Sequence, residues 1–150
     1  QKRDKGKSDY PAWYAYGRTQ GMNNFGKKLL IPYIAGEPIA VLSLEEKLLF
    51  YCGYALISDD EQELKVLKCF LESKAFWYYI YHTSKPYSKG YRSFAKNYIV
   101  HFTIPELNDT EIKYLLSNHK KIDTNKWIFT KYNLTEEEIS FIESMIKPME

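Results

Sequence analysis

The residue types best suited to chemistry sit between two glycines. Gly17-Arg18-Thr19-Gln20-Gly21 follows the aromatic run Trp13-Tyr14-Ala15-Tyr16. A tight backbone there projects a guanidinium, a hydroxyl and an amide together, the groups that read guanine, phosphate and adenine. The competing reading is that Arg18 pairs internally and the glycines only make a turn. No acid occurs between Asp9 and Glu37, so Lys27 and Lys28 join Arg18 in one basic island. A second acid-free stretch lies between Glu72 and Glu106. Its centre interleaves Lys85, Lys89, Arg92 and Lys96 with Tyr87, Tyr91 and Ser93, a mixture suited to a phosphate backbone: cations neutralise charge while hydroxyls and main-chain amides fix register. A solvated hairpin is the rival reading of that stretch.

Other chemistries find little to build on. His82, His101 and His119 lack the spacing of a metal site, and Cys52 and Cys69 form no Cys-x-x-Cys pair. No glycine-rich phosphate-cradling motif is present. A metal-dependent nuclease would need an acid followed by a Glu-x-Lys pair. Glu63-Leu64-Lys65 follows Asp59 and Asp60, and Glu111-Ile112-Lys113 follows Asp109. Both triplets fall just inside expected helices, where residues two apart point to different sides, so they read as solvated helical faces.

The elements that must position these loops are legible from spacing. Short β-branched or aromatic runs at Trp13–Tyr16, Leu29–Ile34, Ile39–Leu42 and 53–57 are bounded by Gly, Pro or Asn and predict strands. Ser58 to Glu61 reads as a capping box before Leu64, Leu67 and Leu71 at helical spacing. Ala75–Tyr81 is apolar all round and predicts a buried helix. Pro86 and Gly90 demand a turn, and Tyr98–Ile104 predicts a strand ending at Pro105. Asn108 and Thr135 each open a capped helix, with Ile112, Leu115 and Leu116 on one and Ile139, Ile142 and Ile146 on the other. Strands first and helices last favour an α+β fold, a small mixed sheet packed with helices and ending in a helical tail.

Composition sets the outer limits. A chain of 150 residues with 45% hydrophobic residues is enough for one core, and a net charge of +2 advertises no partner by itself. Residues 1–8 carry four bases, one acid and no apolar residue, a linker composition. Apolar runs are far shorter than the ~20 residues of a membrane helix, and no signal-peptide pattern follows the basic start. No membrane association and a cytoplasmic location are therefore expected. The Asn108 and Asn133 sequons carry no weight without a secretion route. Gln at the first position suggests a piece of a longer chain.

Taken in order, Trp13–Met22, Lys28-Leu29-Leu30-Ile31-Pro32, Leu71-Glu72-Ser73-Lys74 with Phe76 and Tyr79, then Ser84–Gly90, Tyr98 and Ile104-Pro105 resemble the TaqI-type C-terminal specificity domain. In that family the domain is the target-recognition part of N6-adenine DNA methyltransferases and fused type II restriction-modification enzymes. The likeness spans roughly Asp9 to Pro105, and Lys131 to Ile139 resembles the closing segment of the fused enzymes. Glu72 stands where the family usually has Asn, and Asn133 where it has Gly.

The resemblance implies residues 9–106 as a DNA target-recognition domain and 107–150 as a helical segment packed on it. Its partners would be double-stranded DNA and the N-terminal methyltransferase domain of the same parent chain. Arg18, Thr19, Gln20, Lys27, Lys28, Lys85, Tyr87, Lys89, Tyr91, Arg92, Ser93 and Lys96 are the expected DNA-binding residues. Adenine methylation needs an Asn/Asp-Pro-Pro-Tyr/Phe loop and a glycine-rich strand end for S-adenosylmethionine. No two of the six prolines are adjacent. The chain is accordingly expected to be a recognition fragment rather than an enzyme, with S-adenosylmethionine bound elsewhere in the parent. The alternative is a protein-interaction module whose amphipathic helices dock a catalytic subunit or a second copy.

Overall fold

The computed structural model describes residues 24–50, 52–117 and 120–146. The 1–8 linker, the expected strand at Trp13–Tyr16 and the Arg18-Thr19-Gln20 element lie outside those residues. Short apolar runs between turn residues become β1 (Lys28–Ile31), β2 (Ile34–Ala35), β3 (Val41–Ser43) and β4 (Tyr54–Ile57). β1 lies between β3 and β4, antiparallel to both, so that Leu29 sits opposite Leu42 and Leu56. Alternation then sends Leu29 and Ile31 into the core. Gly53 makes this pairing possible: its φ is +112°, and a Cβ there would stand 2.5 Å from the Ile31 carbonyl oxygen. A second antiparallel pair joins β2 to β5 (Arg92–Ser93). Among the described residues every strand pair is antiparallel.

The first helix, α1 (Glu61–Leu71), starts where the sequence places it, but its cap is Asp60, whose Oδ1 accepts the Gln62 and Glu63 N–H groups. Ser58 instead accepts the Asp60 N–H and donates to Glu63 Oε2. Leu64 and Leu71 are buried as their spacing requires. At the break, Ser73 Oγ donates to the Phe70 carbonyl (2.6 Å) and accepts the Phe76 N–H (3.1 Å), ending one helix and capping the next, α2 (Lys74–Thr83). Glu72 Oε1 accepts the Ala40 N–H (3.1 Å) and is paired with Lys68, whose ammonium also donates to the Ala40 carbonyl. Glu72 thus ties the helix break to the chain entering β3.

The run Tyr98–Ile104 does not form the expected strand. Lys96–Ile99 is a single helical turn, α3, and residues 102–108 form neither helix nor strand. The Tyr79 hydroxyl donates to the Tyr98 carbonyl, while Phe102, Ile104 and Leu107 pack against the helices. Tertiary packing of aromatic and aliphatic side chains overrides β propensity here.

Three helices follow. α4 (Asp109–Ser117) opens on reciprocal bonds between Asn108 and Glu111. α6 (Glu136–Met145) opens on the Thr135–Glu138 capping box. Between them lies α5 (Lys121–Lys131), a helix the sequence reading did not anticipate. Its buried Asn125 accepts the Lys74 N–H (2.7 Å) and donates to the Lys121 carbonyl (2.9 Å), fastening α5 to the start of α2. Asn133 then turns the chain with φ +53°, the left-handed conformation for which Gly or Asn is suited. Phe129, Ile142 and Ile146 join the core of Leu29, Leu64, Phe76, Ile80 and Phe94; Leu115 and Ile128 close a second cluster around Phe70. The architecture is α+β, with short antiparallel sheets against a larger helical layer. Among the described residues no helix is long and apolar enough to cross a membrane.

Candidate nucleic-acid interface

The second basic island is a hairpin hung from the end of α2. Ser84 ends that helix, its N–H reaching the Ile80 carbonyl (3.0 Å). The outgoing and returning chains are joined by Tyr87 N–H to the Tyr91 carbonyl (2.8 Å) and Ser93 N–H to the Lys85 carbonyl (3.0 Å). The tip Ser88–Gly90 is a 3₁₀ turn in which Lys89 (φ +60°) and Gly90 (φ +81°) are both left-handed. At the base, Phe94 is fully buried, stacked on Trp77 (6.1 Å between centroids) and edge-on to Phe76. Burial of that ring contributes about 2–3 kcal/mol and holds the hairpin to the core.

Side chains on the hairpin divide cleanly. Lys85, Tyr87, Lys89, Tyr91 and Lys96 are exposed, with the Lys85 ammonium 5.5 Å from the Tyr87 ring centroid. Arg92 is half-buried, its guanidinium 3.8 Å from the centroid of Tyr81 on α2. That contact seats the cation over the ring face. Its Nε and the hydroxyl of Ser84 are buried with no hydrogen-bond partner among the described residues. Among those residues ion pairs engage Lys27, Lys65, Lys68, Lys74 and Lys131, and none involves Lys85, Lys89, Arg92 or Lys96. Tyr81 borders this surface and is absent from the expected DNA-binding residues. The signal for Tyr81 would have been an aromatic on the last turn of a helix leading into a basic loop.

Two expected DNA contacts are corrected by the structure. Lys28 is fully buried, and its ammonium donates to the carbonyls of Leu48 (2.9 Å), Glu46 (3.0 Å) and Glu45 (3.5 Å). All three of its protons are directed to the protein's own backbone. Ser93 is also buried: its backbone joins β2 and its Oγ accepts the Ala95 N–H (3.3 Å). Lys27 keeps partial exposure but lies 3.9 Å from Glu61 of α1. The first island is therefore free of acids in sequence and not in space. Arg18, Thr19 and Gln20 lie outside the described residues.

The carboxylates of the Glu-x-Lys triplets serve helix starts and ion pairs. Glu111 Oε1 pairs with Lys131 (2.6 Å) while Oε2 accepts the Asn108 N–H, and these bonds hold its carboxyl below the usual range. Glu63 Oε2 accepts the Ser58 hydroxyl, and outside the triplets the Glu61 carboxyl is held down by its bond to Lys65, with a lesser pull from Lys27. Among the described residues no three His, Cys, Asp or Glu side chains converge. Cys52 and Cys69 are unpaired, and burial pushes the Cys69 thiol up, with Glu72 adding to the rise, which disfavours its thiolate. A Cβ at Gly26 would meet the Ile57 side chain, and one at Gly53 the Ile31 carbonyl. In comparisons with known proteins, the chain matches no family model, no curated protein and no solved structure.

Proposed function

We propose that this chain recognises double-stranded DNA, as the target-recognition part of an N6-adenine DNA methyltransferase or fused restriction-modification enzyme, and performs no chemistry itself. The observation that carries the reading is the hairpin: Lys85, Lys89, Arg92 and Lys96 occupy one short segment, none engaged by a carboxylate among the described residues, with exposed Tyr87 and Tyr91 beside them. Phosphates are the partner such a segment suits, because each neutralised phosphate releases condensed counterions. Arg18 and Gln20 are the proposed base readers, with Thr19 beside them for phosphate. S-adenosylmethionine and the flipped adenine would then belong to a methyltransferase domain of the parent chain.

Selection from a pool of random duplexes with the whole chain tests this. One short motif should be enriched, and Arg18→Ala should weaken binding to that motif by about 1–3 kcal/mol while random DNA is little affected. Equal weakening on every duplex would remove base reading from Arg18. A chain that ignores DNA at low salt yet dimerises at low concentration would replace DNA recognition with the docking reading.

A further inference from the structure

On another part of the surface, α2 and α6 border a cleft of about 510 Å³, a size that suits one small organic molecule. Its lining is aromatic. Tyr78 and Phe141 pack edge to face at 6.2 Å, and Phe102 and Tyr132 lie tilted at 5.8 Å. Tyr132 donates its hydroxyl to the Thr103 carbonyl (2.8 Å), so that end of the ring is already occupied. Phe141 remains 53% exposed.

Among the described residues the only charged ones lining the cleft are Glu137 and Glu138. Glu138 accepts the Thr135 N–H and hydroxyl, while Glu137 has no hydrogen bond or ion pair among the described residues. Neighbouring lysines are engaged elsewhere: Lys74 with Glu143 (2.7 Å) and Lys131 with Glu111 (2.6 Å). Aromatic faces carry negative electrostatic potential and attract cations, and a carboxylate at the same site adds to that attraction. An uncharged occupant would gain apolar contact alone, and an anion would be repelled.

The geometry points to a binding site for a small organic cation with an apolar body, such as a quaternary ammonium, held by Tyr78, Phe102, Tyr132 and Phe141 with Glu137 and Glu138 as counter-charge. The site is independent of the DNA reading and is tested without DNA. Ligand-observed NMR on the whole chain compares phenyltrimethylammonium with tert-butylbenzene, its uncharged isostere. The cation should bind saturably and about tenfold more tightly than the isostere. Phe141→Ala should weaken the cation about tenfold, and Glu137→Gln should narrow the preference about threefold. Should Phe141→Ala lower the unfolding midpoint, Glu137→Gln, at an exposed helix position, carries the test. Equal affinity for the two probes, no saturation by the cation, or an unchanged preference in Glu137→Gln would each overturn the proposal.

Discussion

At the start of β1 a lysine is sealed inside the protein, whereas lysines of the hairpin after α2 stand in water without a carboxylate. Lys28 places its ammonium among the carbonyls of Glu45, Glu46 and Leu48; Lys85, Lys89 and Lys96 are exposed. Both regions are acid-free in sequence. Their different fates depend on whether remote chain comes close. The loop after β3 folds back over Lys28 and α1 brings Glu61 toward Lys27, while Lys85 and Lys89 stay exposed on a hairpin whose base is pinned by Phe94. A run of bases is therefore informative about a partner only after the fold has shown which of them the protein itself consumes.

The largest expected effect lies on the buried side. Lys28→Met keeps the length of the side chain but removes all three bonds, leaving the Leu48 carbonyl without its donor while those of Glu45 and Glu46 keep the Leu48 and Gly26 N–H groups, and should lower the unfolding free energy by about 1–3 kcal/mol. Denaturant titration checks this. Unchanged stability would mean that Lys28 is not structural and would break the contrast with the hairpin. A smaller effect is expected at Arg92. Arg92→Lys preserves charge but loses the guanidinium over the Tyr81 ring, and should reduce duplex affinity by about fivefold with little change in salt dependence. Fluorescence anisotropy reads both quantities.

The smallest effect concerns Lys27. Glu61 titrates below the ordinary carboxylate range in the folded protein, chiefly because of Lys65. Its contribution to stability is therefore present above the unfolded-state carboxylate pKa and lost as the pH falls through the lower folded value. Lys65→Ala should remove most of that acid dependence and Lys27→Ala only a small part, as followed by unfolding midpoints across the acid range. If Lys27→Ala removed the larger part, Lys27 would belong with the sealed lysines. Tyr132 provides an internal control at the other end of the scale. Burial pushes its phenol up to about 12, so the folded state loses stability as the pH rises from the unfolded value of about 10 through that range.

Much of the frame was legible because local rules agree with it. Strands overlap the runs at Leu29–Ile34 and 53–57, the first split at Pro32 and Tyr33 into β1 and β2; the Asn108–Glu111 pair and the Thr135–Glu138 box lie where their spacing puts them, and Asn133 takes the left-handed turn. What failed depended on distant contacts. α5 has Lys120 at its N-cap, not a usual capping residue, and it buries a polar Asn125 whose partners include the backbone of Lys74 far away in sequence. The Tyr98–Ile104 run has strand-forming residues but pairs with no strand among the described residues. The hairpin's basic residues could be read from sequence, whereas the contact of Arg92 with Tyr81 and the burial of Lys28 and Ser93 could not, since each depends on a neighbour from another element.

The salt dependence of duplex binding by the whole chain, measured beside the Lys85→Ala/Lys89→Ala variant, tests the central claim most directly. The double variant should bind every duplex more weakly, flatten the log–log salt slope by about two units and unfold at the same denaturant concentration as the parent. An unchanged slope and affinity would mean that the hairpin does not meet DNA.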